Sequence, residues 1–332
     1  MRRFFDALRL LRMTRYSFII FVTFSPRYQI VHLMKVIDMN KTIFALGFFD
    51  GVHLGHAALL AACRRLADEK GCDAGVVTFT SHPDTLVSGK TPMLINTSED
   101  RKKILTEQFH IDQVVEIPFN KAVMNTHWAS FLETLVLQSA AGFVCGSDFR
   151  FGAGGLGTAE NLATFCGEQG LVCAIIPQQE LHGIRVSSTY IRQLLETGQM
   201  DAAVEFLGHP HILSGTVITG RKLGRTLGIP TANIPLPEGV VCPKHGVYAC
   251  KAYVDGQEYL AVTNIGTRPT VGGHHITVEP WLLDFEGDLY GKKLTLAFYD
   301  FLRPEMSFPS LEALKEEILK NAAKTRTFFE KN

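Results

Sequence analysis

Between residues 42 and 207, short continuous apolar runs alternate with segments whose apolar residues recur at helical spacing. A continuous apolar run of roughly five residues is typical of a strand buried on both faces, as in a parallel sheet. Alternation of such strands with helices predicts parallel strands joined by crossover helices. The predicted strands are 42–46, 75–79, 113–117, 142–145 and 172–176, and the predicted helices are 57–70, 98–108, 125–138 and 158–167.

The end of this half predicts two short helices. Ser188 or Thr189 is expected to cap the first helix at its N-terminus, and Gly198 is expected to end it. Hydroxyl side chains satisfy free N–H groups at a helix start, whereas glycine adopts the left-handed conformation at a helix end. The second helix is expected to end at 208–210, where Gly-His-Pro stands.

From residue 211 onward the pattern changes to short β-rich segments separated by glycine and proline turns. Such spacing predicts a small antiparallel barrel, followed by one amphipathic helix over 310–323. The expected strands of the barrel are 215–219, 246–254, 258–264, 275–285 and 293–301. The chain is long enough for two cores, and we expect domains at 39–208 and 209–332.

Residues 1–38 fit neither pattern. Five arginines precede an apolar run over 16–24, which is too short to span a bilayer and has no clean cleavage site after it. We expect an extension, either poorly ordered or a start-site artefact, with Met34 or Met39 as the natural first residue.

Composition narrows the function classes. The chain has 332 residues with 33 Lys and Arg against 33 Asp and Glu, so its formal net charge is zero. This balance predicts neither a nucleic-acid partner nor a membrane partner. The seven cysteines form no Cys-x-x-Cys pair, which argues against a zinc site and favours reduced thiols in the cytoplasm.

The stretch 47–56, Gly-Phe-Phe-Asp-Gly-Val-His-Leu-Gly-His, carries the strongest chemical signal. It places His53 and His56 between a predicted strand and a predicted helix. Free N–H groups and the helix dipole favour an anion there, and imidazoles can donate hydrogen bonds to phosphate oxygens. The pattern therefore predicts a phosphate site, although capping histidines in a glycine-rich loop would also produce it.

A second glycine-rich block spans 220–233. Its closely spaced glycines let backbone N–H groups approach a phosphate, and Lys222 and Arg225 add positive charge. Thr231 and Asn233 supply a hydroxyl and an amide oxygen, both suited to Mg²⁺. A basic hairpin without a ligand is the alternative.

Two further glycine patterns are weaker. Residues 152–157 satisfy Gly-x-Gly-x-x-Gly, but they come late in the strand order for a dinucleotide-binding fingerprint. Residues 88–91 imitate the end of a P-loop, but Asp84 stands where its first glycine should be. We assign neither pattern a function.

Four segments together, 47–56, 78–83, 146–152 and 187–192, resemble the adenylyltransferase half of the bacterial bifunctional riboflavin kinase/FAD synthetases. The resemblance implies a Rossmann-like α/β nucleotidylyltransferase domain with a parallel sheet. It also implies that His53 and His56 act on the phosphates, and that Arg192, Ser188 and Thr189 hold the β- and γ-phosphates. The other residues that it implies in ATP or FMN binding are Gly47, Phe49, Asp50, Gly51, Gly55, Asp148, Phe149 and Phe151.

The block 220–233 and the segments 246–248, 264–270 and 278–291 resemble the riboflavin kinase half of the same family. The resemblance implies that Thr231 and Asn233 hold the metal and that Glu279 is the general base. The residues that it implies in ATP or riboflavin binding are Gly220, Lys222, Gly224, Arg225, Gly228, Pro230 and Asn264. Pro280 and Trp281 depart from the family, which has a small residue and a histidine after the glutamate, so flavin binding on this side is less certain.

The resemblance covers roughly residues 41–325 and implies riboflavin phosphorylation followed by FMN adenylylation. The implied ligands are riboflavin, FMN, ATP and Mg²⁺ bridging the ATP oxygens, with at most weak self-association. One alternative is an adenylyltransferase for another acceptor, such as phosphopantetheine or nicotinamide mononucleotide. Another is a flavin-sensing or flavin-storing protein without turnover.

Overall fold

The computed structural model describes residues 41–220, 224, 228–270 and 273–331. The strands are β1 Thr42–Leu46, β2 Asp73–Phe79, β3 Gln113–Ile117, β4 Ala140–Gly146, β5 Arg150–Phe151, β6 Gly157–Thr158, β7 Val172–Ile176, β8 Glu180–Leu181, β9 Ile184–Arg185, β10 His211–Thr216, β11 Ile234–Pro235, β12 Gly246–Val254, β13 Gln257–Thr270, β14 Gly273–Leu282 and β15 Lys293–Pro304. The α-helices are α1 Leu54–Lys70, α2 Asp84–Val87, α3 Ser98–Lys103, α4 Lys121–Met124, α5 Trp128–Leu137, α6 Ala159–Gln169, α7 Ser188–Thr197, α8 Met200–Leu207 and α9 Leu311–Lys331.

The first lobe is built on a parallel sheet in the order β3-β2-β1-β4-β7. All five residues of β1 are buried because helices cover both faces of the sheet. From β1 the chain adds β2 and β3 on one side, and then β4 and β7 on the other side of β1. Ligands of open parallel sheets bind where the strand order switches in this way, so a ligand is expected at the carboxyl end of β1. The predicted α/β class is confirmed, and β1, β3 and β7 have the predicted bounds.

The second lobe is an antiparallel sheet in the order β10-β15-β12-β13-β14-β11. Its two edges approach each other, since the N–H of Ile218 donates to the carbonyl of Asn233 at 2.9 Å. The sheet therefore nearly closes into the predicted barrel, and α9 packs against β12 and β13. No helix within the described ranges has the length and apolarity that a bilayer crossing requires.

Several element predictions are wrong in their bounds. The helix expected over 125–138 begins later, as α5, because the Nδ1 of His127 accepts from the N–H of Ala129 and caps the helix there, while the separate short helix α4 lies before the predicted range. The strand expected over 215–219 lies earlier, as β10. The last helix continues to Lys331 beyond the predicted end at 323.

The predicted N-cap residue of α7 is also wrong. Ser187, rather than Ser188 or Thr189, accepts from the N–H of Tyr190 and caps this helix. Ser188 is thereby free to point elsewhere, while Gly198 ends the helix in the left-handed conformation as predicted. The prediction for residues 1–38 lies outside the described residues.

The two lobes share a core. Ile191 of α7 and Phe206 of α8 belong to the same apolar cluster as Tyr248 and Phe298 of the barrel. Backbone hydrogen bonds join the lobes as well, with Leu94 donating to the carbonyl of Gly239 and accepting from the N–H of Val241, each at 2.7 Å. The helices that follow the parallel sheet are thus packed on both lobes.

Candidate active sites

His53 and His56 lie together where β1 ends and α1 begins. His53 is the N-cap residue of α1, and its Nδ1 accepts from the N–H of His56 at 3.3 Å. The two rings stack with 3.7 Å between their centroids. Gly55 allows this packing, because a Cβ there would lie 3.1 Å from the His53 ring. The predicted histidine pair is therefore one rigid unit.

Both imidazoles are neutral at physiological pH. Burial lowers the pKa of His53 to about 4, and His53 is only 7 % exposed. Burial also holds the pKa of His56 well below its usual range, and the nearby charge of Arg101 acts in the same direction. Since Nδ1 of His53 is an acceptor, the proton of its neutral ring is on Nε2. That N–H is the hydrogen-bond donor of the His53 side chain.

Asp50 and Arg192 form an ion pair beneath the histidines. The carboxylate of Asp50 is 3 % exposed, accepts from Nη1 of Arg192 at 2.8 Å, and accepts from the N–H of Ile95 at 2.8 Å. Burial raises the pKa of Asp50, while the Ile95 N–H and the two nearby arginines oppose the rise. Ser188 donates to the carbonyl of Asp50 at 2.9 Å. Asp50 thus holds the start of α7 against the loop 47–56, which is called the histidine loop below.

A cavity of about 270 Å³ opens over this arrangement. Six of the residues that line it are Asp50, His56, Ser188, Thr189, Arg192 and Phe49, which all come from the predicted set. His82 lies in the predicted ligand-facing segment 78–83, whereas Phe48, Asp84 and Pro92 were not predicted. Three separate segments of the sequence therefore converge on one cleft at the carboxyl end of β1.

Arg101 is a buried cation next to this cleft that sequence reasoning missed. It is 1 % exposed, its guanidinium lies 4.5 Å from the centre of the Phe48 ring, and Nη2 donates to the carbonyl of Phe79 at 2.9 Å. Glu116 lies 3.8 Å away. In the sequence Arg101 stands in a charged helical turn, which is typical of a solvated face, so only the tertiary structure reveals its burial.

Seven predicted residues lie outside the cavity lining, namely Gly47, Gly51, His53, Gly55, Asp148, Phe149 and Phe151. Asp148 is exposed and pairs with Arg185 at 2.6 Å. Phe149 and Phe151 stack on each other, and Phe151 is buried in the core beneath the sheet. Gly47 lies at the end of β1, where its N–H donates to the carbonyl of Val77.

In the second lobe, polar residues lie in one row across three strands. Asn264 of β13 pairs directly with Glu279 of β14. The pairing of Ile234 with Val278, extended by the hydrogen bond from Ala232 to the carbonyl of Pro280, sets Asn233 opposite Glu279. Directly opposite residues share a face of the sheet. Asn233, Glu279 and Asn264 are therefore neighbours.

The chemistry of this row suits a hydroxyl substrate and a cation. Oδ1 of Asn233 is buried and has no hydrogen-bond partner within the described ranges. An orphaned amide oxygen of this kind is a ready ligand for a hard cation such as Mg²⁺. Glu279 accepts from the hydroxyl of Thr277 at 2.9 Å. The described residues contain no cluster of three or more His, Cys, Asp or Glu that could hold a metal.

The glycines of the block 220–233 lie where side chains do not fit. A Cβ at Gly220 would lie 2.3 Å from Nδ2 of Asn233, and one at Gly224 would lie 2.2 Å from the carbonyl of Ile229. Gly228 has a positive φ of 73°, Pro230 is exposed and Thr231 is half-buried. The predictions for Lys222 and Arg225 lie outside the described residues.

Comparisons with known proteins agree with this two-lobed arrangement. The family model for FAD synthetase matches residues 36–190, and the family model for riboflavin kinase matches residues 207–329. The bifunctional riboflavin kinase/FMN adenylyltransferase of Listeria monocytogenes is 35 % identical over 89 % of this chain and 94 % of its own length. The enzyme of that name from Pseudomonas fluorescens is 37 % identical over 86 % of this chain and 92 % of its own.

A solved structure has the same fold. The crystal structure described as a macrolide-efflux protein from Streptococcus pneumoniae superposes with a TM-score of 0.78 at 27 % identity, covering 88 % of this chain and 95 % of that one. The matches to flavin enzymes outweigh the alternative of a different phosphate acceptor. The chain belongs to the family of bifunctional riboflavin kinase/FMN adenylyltransferases.

Proposed function

We propose that the two reactions of this bifunctional enzyme are divided between the two sites described above. FMN is adenylylated in the cleft of the first lobe, and riboflavin is phosphorylated at the polar row of the barrel. The observation that carries the proposal is the stacked pair His53–His56 at the start of α1, of which His56 lines a cleft together with Arg192.

In the first lobe, a phosphate oxygen of FMN attacks the α-phosphorus of ATP, and the bond to the β-phosphate oxygen breaks to release pyrophosphate. No protein nucleophile is needed, since positioning and stabilisation of charge account for the catalysis. The neutral rings of His53 and His56 donate hydrogen bonds to the α-phosphate as its charge rises. Arg192, with Ser188 and Thr189, binds the departing phosphates. The ion pair with Asp50 fixes the orientation of the Arg192 guanidinium.

In the second lobe, Glu279 accepts the proton of the 5′-hydroxyl of riboflavin while that oxygen attacks the γ-phosphorus of ATP and ADP departs. Asn264, directly opposite on β13, orients the substrate. Asn233 and Thr231 would hold Mg²⁺ against the phosphates of ATP. The cation supplies positive charge to the γ-phosphate oxygens when bound.

The substrates are thus small molecules, namely riboflavin, FMN and ATP. We place the reactions in the cytoplasm, because all seven cysteines are free thiols.

A double dissociation tests the assignment to the first lobe. We expect His53→Ala to abolish FAD formation while riboflavin is still converted to FMN, as followed by chromatographic separation of the flavins. His127→Ala is the matched control, since His127 also caps a helix through Nδ1 at 3.3 Å but stands at the start of α5, whereas His53 stacks on His56 of the cleft lining. FAD formation by His53→Ala at the parental rate would refute the role of His53.

The reciprocal variant tests the barrel. Glu279→Ala should stop FMN formation and leave the adenylylation of supplied FMN unchanged. Glu258→Ala is its control, because Glu258 is a strand glutamate of the same barrel that pairs with Lys251 at 2.7 Å. Phosphorylation of riboflavin by the Glu279 variant at the parental rate would remove Glu279 from the mechanism.

A further inference from the structure

The segment that joins the lobes lies directly against the loop that carries His53. Leu207 and Gly208 end α8, and His209 follows them. A Cβ at Gly208 would lie 2.5 Å from Leu54, the first residue of α1. His209 itself is 5 % exposed. A residue outside both sites is therefore packed on the backbone of the histidine loop.

The loop itself has unfavourable backbone conformations. Phe49, Gly51 and Val52 have positive φ angles of 60°, 76° and 44°. Left-handed backbone is unfavourable for non-glycine residues, above all for a β-branched one, and persists only where the surroundings impose it. The fixed position of His53 thus depends on contacts that hold this turn from outside.

Two such contacts come from distant parts of the sequence. The first is the N–H of Ile95, which donates to Asp50. The second is the ring of His209, whose Nε2 contacts the carbonyl of Gly51 at 3.1 Å and whose Nδ1 contacts the carbonyl of Pro210 at 2.9 Å. Both partners are carbonyls, which only accept, and burial lowers the pKa of His209, so the neutral ring has a single N–H; in the tautomer with the proton on Nε2, His209 donates to Gly51. This bond fixes a peptide group two residues before His53.

We infer that His209 is a positioning residue for FMN adenylylation. Its hydrogen bond to Gly51 sets the orientation in which His53 meets the phosphates, and thereby links the chain leading into the kinase lobe to the adenylyltransferase cleft. The inference rests on the proposed role of His53. Removal of the bond is expected to lower the rate of the chemical step, because displacement of a catalytic group by about 1 Å can cost roughly 100-fold.

Two isosteric variants separate positioning from packing. In His209→Gln, the side-chain amide nitrogen reaches the place of Nε2 and can still donate to Gly51. In His209→Asn, the amide nitrogen takes the place of Nδ1 and does not reach Gly51. Both variants are made in the full chain, and riboflavin kinase activity in the same preparation reports whether the protein is folded.

We expect His209→Asn to lower kcat for FAD formation by about tenfold or more, with KM for ATP changed less than about threefold. We expect His209→Gln to retain at least half of the parental kcat, and kinase activity to be unchanged in both. Parental FAD formation by the Asn variant, or equal loss in the Gln variant, would overturn the inference. So would parallel loss of both activities, which would mark His209 as a structural residue.

His53→Ala, measured alongside, separates a failure of the proposed function of the cleft from a failure of the positioning role of His209. If His53→Ala retains FAD formation, the proposed function of the cleft fails whatever His209 does. If His53→Ala is inactive and His209→Asn is fully active, only the positioning role fails.

Discussion

His211, at the start of β10, should make the protein sensitive to acid. It is 0 % exposed, neither ring nitrogen has a hydrogen-bond partner within the described ranges, and its ring lies 5.7 Å from that of Phe298. Burial, assisted by the charge of His209, lowers the pKa of His211 from 6.5 to about 3. The folded chain therefore holds this imidazole neutral where the unfolded chain protonates it.

The sign and size of the effect follow from linkage. Above pH 6.5 both states are neutral, so the ring contributes no pH dependence. As the pH falls below 6.5, the unfolded chain binds the proton first, and stability is lost progressively until about pH 3. At pH 5 the loss amounts to about 2 kcal/mol, at roughly 1.4 kcal/mol for each pH unit.

The variant His211→Leu removes this titration and leaves a side chain of similar size. We expect its free energy of unfolding, relative to that of the parent, to be about 2 kcal/mol larger at pH 5 than at pH 7.5, so that the variant gains stability over the parent in acid. Urea denaturation at both pH values, followed by the fluorescence of Trp281 in a Trp128→Phe background, measures this difference for the barrel. The chain has only these two tryptophans.

His182→Asn is the control, because the side chain of His182 is 64 % exposed. Its effect should stay within about 0.5 kcal/mol at both pH values. A difference below about 0.5 kcal/mol for His211→Leu would refute the reasoning, since His211 would then titrate in the folded chain as it does in the unfolded one.

Further predictions concern glycines that have no room for a side chain. Gly220→Ala should lower riboflavin kinase activity at least severalfold and leave FMN adenylylation intact, since its Cβ would lie 2.3 Å from the Asn233 amide; separate assays of the two steps check this. Gly75→Ala should destabilise the first lobe by about 1–3 kcal/mol in urea denaturation, because its Cβ would lie 2.5 Å from the Phe44 ring. Gly167→Ala, in α6 with nothing within 4 Å, should instead be neutral or stabilising by up to about 1 kcal/mol.

The buried strands were predictable because their signal is local. The runs that became β1 and β12 are apolar almost throughout and mostly buried, so pattern and burial coincide there. The strands β3 and β7 also have the predicted bounds, but they lie at the edges of the sheet and are only partly buried. Helix ends were less predictable, because they depend on single contacts. α9 extends to Lys331, and its last turns carry Phe328 and Phe329, which pack on Tyr299 of the barrel.

The residues of the candidate sites also differ in how strongly the sequence indicates them. The motif 47–56 predicted that His53 and His56 lie together at a helix start, where free N–H groups favour an anion. Arg101 and His209 carried no such signal, because a lone arginine or histidine is usually a surface or capping residue. Their importance comes from contacts with Phe79 and Gly51, which lie 22 and 158 residues away in the sequence. Only the folded structure reveals partners so remote.

The boundary between the lobes lies at different residues when it is taken from the hydrophobic pattern and when it is taken from the contacts. The hydrophobic pattern changes near residue 210, where helical spacing gives way to short strands. The contacts change earlier, because α7 and α8 bury Ile191 and Phe206 in the core of the barrel. At the same time, Ser188 at the start of α7 donates to Asp50 of the histidine loop. These two helices therefore pack on both lobes, and we expect a change in barrel packing to alter the adenylyltransferase cleft through them.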